Sequence, residues 1–165
     1  MQSSLHKHIT SWPFLLISTA VGYVGVILLY LFIFLPLDKS VPTYDILAFE
    51  FAWTEENVSA IFLAWGSEGI QMHIYGVYWD FLFIPAYIIA ISGSLMLVSK
   101  IIQGKLHWWI TFFASFPFIA GIFDFFENFL LLHLLNSPTS FDLAVPLLAG
   151  IMASLKFGLL AISVL

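Results

Sequence analysis

The chain has 165 residues, 61% of them hydrophobic and 9% charged, with a mean hydropathy of +1.01. A soluble domain carries roughly 25% charged residues, so there is too little charge here to coat a water-facing globule. There is no cysteine, which excludes disulfides, thiol nucleophiles and thiolate zinc sites and leaves the redox compartment unread. There is no arginine to clamp a phosphate, and five lysines against ten acids exclude a nucleic-acid footprint.

Met1 to Ser11 is a short polar leader holding His6, Lys7 and His8. The uncharged stretch over residues 12–35 is too long for a signal-peptide core of roughly 7–15 residues. It exceeds the roughly 20 apolar residues that cross a hydrocarbon core, and reads as a retained span. Ser11 is placed to cap its start, Pro13 is tolerated in the first turn, and Pro36 is expected to end it.

Residues 37–69 form the longest non-spanning piece and carry Asp38, Lys39, Asp45, Glu50, Glu55, Glu56 and Glu68. Leu47, Phe49, Phe51 and Trp53 alternate in a pattern that strand and helix both satisfy. Thr54 followed by Glu55 and Glu56 marks a helix start, a capping hydroxyl with acids in the positive first turn. Val58, Ile61, Phe62 and Trp65 then recur as one apolar helical face, and Gly66 stops that short amphipathic helix. It is expected to cover the end of the bundle as a lid or to lie in the membrane interface.

Three further spans are expected over residues 70–99, 108–135 and 141–165. Pro85 and Pro117 lie inside the second and third, where they bend a helix, and Pro146 falls in the first turn of the fourth. Trp12 and the Trp108–Trp109 pair sit at span ends as interfacial anchors. The expected fold is an all-α membrane protein, a four-transmembrane-helix antiparallel bundle forming a single integral membrane domain over residues 1–165. Lys7, Lys100 and Lys105 in the short polar segments put both termini in the cytoplasm and the acidic 37–69 lid outside.

Four ionisable residues fall well inside the expected spans: Asp80, Asp124, Glu127 and Lys156. Each costs roughly 2.5–3.5 kcal/mol at a helix centre even on the lenient insertion scale, so they must face inward and pair or be neutralised. His73, Asp80, Tyr87 and Ser94 are seven apart and form one polar stripe. Asp124, Glu127 and Asn128 share a face, with Ala120 and Gly121 one turn earlier to admit a neighbouring helix. Lys156 aligns with Ala149, Met152, Ala153 and Ser163. These residues are expected to converge on a buried carboxylate–Lys–Tyr cluster built from Asp80, Tyr87, Asp124, Glu127, Asn128 and Lys156. One lysine cannot neutralise three carboxylates, so a surplus acid is expected to be protonated, water-linked or bound to a cation.

Glu68 and His73 are secondary candidates, with bland readings beside them. Glu68 suits a first helical turn, and His73 is expected as a hydrated residue near the outer end of its span. Neither His-x-x-x-His nor Glu-x-x-His is present, so no di-iron motif, metal or cofactor is named.

Gly66-Ser67-Glu68-Gly69, Asp80 with Tyr87, Asp124-x-x-Glu127-Asn128 and Lys156 together resemble a family of small four-span membrane proteins of unassigned function. The resemblance covers residues 40 to 165. That family usually shows an Arg after the Gly-x-Glu-Gly turn, where Ile70 and Gln71 stand here. It implies the fold and the polar positions and brings no activity.

Three functions fit these residues. The first is an intramembrane site for a proton, cation or small polar headgroup, in transport. The second is an accessory or scaffold subunit whose network only fixes packing. The third is a membrane-embedded enzyme acting on a lipid, with Asp124 or Glu127 as acid or base. The lipid bilayer is the expected partner, with a homo-oligomer or larger membrane complex left open.

Overall fold

The computed structural model describes residues 11–40 and 43–165; His6, Lys7 and His8 of the leader lie outside them. Every regular element among the described residues is a helix. We label them α1 (Trp12–Ser40), α2 (Ile46–Glu50), α3 (Glu55–Ile101), α4 (Lys105–Phe113), α5 (Phe116–Asn136) and α6 (Ala144–Val164). Four helical segments are long and apolar enough to cross a membrane: α1, α3, α4 together with α5, and α6. Ile17, Phe32, Leu82 and Phe118 are more than half exposed, as suits side chains facing lipid rather than water.

Proline shapes these helices differently from the expectation. Pro36 does not end α1. The backbone widens into a π turn over Tyr30–Phe34, where the Leu35 N–H donates to the Tyr30 carbonyl, and then continues to Ser40. A proline ring crowds the carbonyl one turn back, and the wide turn ahead of Pro36 absorbs that crowding. Pro117 acts the other way. It has no N–H to offer the Phe113 carbonyl, so the span expected as one helix over 108–135 is two, with Ala114 and Ser115 between α4 and α5. Pro85 is carried inside α3.

Capping follows the sequence in one case of two, and Asp45 adds a cap that the residue pattern did not single out. The Asp45 carboxylate accepts the Ala48 N–H at 2.8 Å and starts α2, which takes Leu47 and Phe49 of the ambiguous alternation into helix and leaves Phe51 and Trp53 beyond its end. Thr54 Oγ1 accepts the Asn57 N–H at 3.3 Å and starts α3. Ser11 stands at the N-cap of α1, but its hydroxyl caps nothing; only its carbonyl accepts, from Leu15. Gly66 breaks α3 with φ 63° and ψ −176°, a conformation that disfavours any Cβ, and the chain then resumes as helix without an intervening loop. The second span is therefore longer than residues 70–99 at both ends.

α1 packs along α3, α3 against α5, and α5 against α6, whereas α1 and α6 make no comparable contact. The α1–α3 approach depends on Gly22. A Cβ there would stand 2.7 Å from the Ala90 nitrogen and 2.9 Å from the Ala86 carbonyl oxygen. Gly121 lies against Ile84 and Ile88 of α3, with Ala120 fully buried beside it, as the small-residue pattern implied.

The apolar core lies mainly at one end of the helices. Val58, Ile61, Phe62 and Trp65 bury their shared face with Phe49 of α2 against Leu131, Leu134 and Leu135 of α5 and Val145 and Ala149 of α6. The amphipathic helix therefore packs its apolar face on the end of the bundle. The Phe49 ring sits 5.4 Å from Phe62 and 5.2 Å from Trp65. Trp53 lies over Gly150 of α6, where a Cβ would meet its ring at 2.8 Å. This packing fixes α2 against the start of α3 and against α6. Phe49→Ala is expected to cost about 3–5 kcal/mol, read as a lower unfolding temperature in detergent. Leu63→Ala, at a position 87% exposed, should leave that temperature unchanged.

Candidate functional site

Four helices deliver their polar residues to one place. α6 carries Lys156, whose Nζ lies 2.9 Å from Glu127 Oε2, 3.1 Å from Asp124 Oδ1 and 3.4 Å from Glu50 Oε2. α5 supplies Asp124 and Glu127 because residues three apart share a helical face. α3 supplies Tyr87, whose hydroxyl donates to Asp124 Oδ2 at 2.9 Å, and Asp80, which accepts from Asn128 Nδ2 at 2.8 Å. All six positions expected to converge do so.

The contacts are unequal. The ammonium donates to Asp124 in hydrogen-bond geometry. Its contact with Glu127 is an ion pair without that geometry, and neither Glu127 oxygen has a hydrogen-bond partner among the described residues. Glu127 is fully buried. Groups this deep are costly unless paired, so the ammonium is the element that makes the acids tolerable.

Glu50 is the residue that sequence reasoning missed. It appeared only as one acid among several in the 37–69 segment. The sole signal was its place in an otherwise apolar stretch from Leu47 to Trp53, where a glutamate must face a polar partner. Here it is 9% exposed, in the short helix that Asp45 caps, and it reaches Lys156. Burial pushes its carboxyl above the ordinary carboxylate range, with Lys156 opposing.

The secondary candidates lie elsewhere. Glu68 is exposed just past the Gly66 break. His73 is 1% exposed, not hydrated as expected. Its Nδ1 lies 2.8 Å from the Gly69 carbonyl, and its ring stacks on Trp65 at 3.5 Å with planes 6° apart. The break at Gly66 folds the amphipathic helix back so that Trp65 covers His73, which local spacing does not reveal. The remaining stripe residue, Ser94, meets Tyr23 of α1 at 3.1 Å.

A cavity of about 560 Å³ opens beside the cluster. Asp80, Asp124, Asn128 and Lys156 line it with Glu50 of α2, and Asp38 and Asp45 line it as well. Val26 and Phe34 of α1, Phe83 and Ile91 of α3, and Leu160 of α6 form apolar walls. It draws on both α1 and α6, the two helices that do not pack on each other. The gap between them is therefore the cavity itself. No group of His, Cys, Asp and Glu suited to holding a metal ion is found among the described residues.

Lys156→Met is expected to destabilise the protein by about 3–5 kcal/mol, because it leaves the buried acids without a counter-charge. Glu127→Gln in the same chain should recover part of that loss, a double-mutant comparison read by thermal unfolding in detergent. A Lys156→Met chain as stable as the parent would show that the acids do not depend on the ammonium. Comparison with known proteins leaves the chain to be read from its own residues, since no family model, curated protein or solved structure matches it.

Proposed function

We propose that this chain is an integral membrane protein that binds the polar headgroup of a small amphipathic molecule at the carboxylate–Lys–Tyr site, with the molecule's apolar part in the cleft between α1 and α6. One observation carries this reading: a cavity of about 560 Å³ is lined both by charged and amide groups of the cluster and by aliphatic and aromatic side chains. Its size falls within the roughly 300–1,000 Å³ of ordinary ligand pockets. A network serving only to fix helix packing needs no such space beside it.

In this reading the spans alternate in direction and both termini face the cytoplasm, as the lysine distribution directs. The acidic segment with α2 then roofs the cavity on the extracytoplasmic side. A ligand would then enter the site from the bilayer through the gap between α1 and α6.

Two experiments test the proposal. The chain has no cysteine, so single cysteines can be labelled against a clean background. In intact cells a membrane-impermeant maleimide should modify Glu56→Cys and leave Gln103→Cys unmodified until the membrane is opened; the reverse pattern inverts the topology. The binding reading is tested by filling the cavity with Leu160→Trp. Organic extraction of the purified wild-type protein should yield a small amphiphile in near-stoichiometric amount, and the variant should yield little of it. Recovery of bulk phospholipid alone from both proteins would count against a ligand site.

A further inference from the structure

The three buried acids and the half-buried Asp80 are not equally served. Lys156 lies within 3.4 Å of Glu50, Asp124 and Glu127. Asp80 has no cation within ion-pair distance among the described residues, and its hydrogen bond comes from the uncharged Asn128 amide. Asp80 nevertheless lines the cavity from the same face of α3 as Phe83 and Tyr87. Phe34 of α1 meets Phe83 edge-on at 5.3 Å, and Phe83 lies 5.8 Å from Tyr87, so an aromatic wall runs beside the carboxylate. The other acids lining the cavity, Asp38, Asp45, Glu50 and Asp124, outnumber the one lysine that lines it among the described residues, and that lysine is already engaged.

From this arrangement we infer that the cavity selects amphiphiles with a cationic head, a protonated amine that pairs with Asp80 and rests against the Phe34, Phe83 and Tyr87 rings. This inference rests on the binding function proposed above and names its ligand class. A carboxylate that faces a largely apolar cavity is costly unless a proton or a cation neutralises it, and an ammonium head supplies that charge for the half-buried Asp80 as Lys156 does for its three partners. The faces of aromatic rings attract a desolvated ammonium in addition. An anionic head would meet the acids at short range with no free cation to receive it. Asp38 and Asp45 add to the acids that raise the local concentration of cations before binding.

The test uses three probes with the same tail, n-octylammonium, n-octanol and n-octanoate, added to the protein in phosphatidylcholine nanodiscs. Near saturation, octylammonium should raise the unfolding temperature by about 5 °C or more, with octanol and octanoate giving little shift. Asp80→Asn should weaken octylammonium about tenfold or more, the scale of one charged contact. Should that variant fail to fold, Phe34→Leu keeps the apolar wall and removes a ring, and it should weaken octylammonium while leaving octanol unchanged. If octanol or octanoate stabilises as strongly as octylammonium and Leu160→Trp abolishes the effect, the cavity binds amphiphiles but the cationic preference is wrong. If octylammonium stabilises the Leu160→Trp protein as well as the wild type, it binds elsewhere and the inference falls. If none of the probes shifts the wild-type protein, the inference and the binding function fall together.

Discussion

The Lys156 ammonium is the point on which the intramembrane structure depends. It ties α6 to two carboxylates of α5 and to Glu50 of α2, and Tyr87 extends the connection to α3 through Asp124. Four elements are thus joined by one charge and the hydrogen bonds around it. Removing one partner from a buried ion pair is strongly destabilising because the other charge stays behind uncompensated. Removing the amine would leave three acids in that position at once. The arrangement holds only while these helices keep their relative rotation, so charge pairing and helix register are the same constraint here.

The apolar cap complements this. In lipid, burying apolar surface between spans gains little, because the surroundings are already apolar; packing and polar contacts hold the spans together instead. The large buried hydrophobic side chains accordingly gather at one end, where α2 and the start of α3 close over α5 and α6. Within the spans, close approach comes from Gly22 and Gly121 and from the polar cluster. The cap has a second consequence, since it fixes Phe49 and so carries Glu50 into the site.

Much of the site was legible in residue spacing. Asp124, Glu127 and Asn128 had to share a face, Asp80 and Tyr87 had to lie along one stripe, and the cost of charge in lipid required them to meet Lys156. Glu50 was not legible, because its segment carries too weak a periodicity to show which way a side chain points. His73 was misjudged for a related reason. Its environment is set by Trp65, eight residues away, and the fold-back at Gly66 that joins them is a tertiary event. Pro36 and Pro117 look alike in sequence, yet one is absorbed by a π turn and the other separates two helices.

Composition and period alone determined that this chain is helical, that it has four segments able to cross a membrane, and that its few charges must face one another. Those conclusions follow from the energy of polar groups in hydrocarbon, which depends on residue type and spacing and little on partners. Only the tertiary structure decided that α1 and α6 stay apart, that a cavity fills the gap, and that Lys156 serves three acids while Asp80 is left to an amide. These are matters of distance between residues far apart in the chain. A periodic pattern shows which face a side chain occupies on its own helix, but not how near the next helix stands.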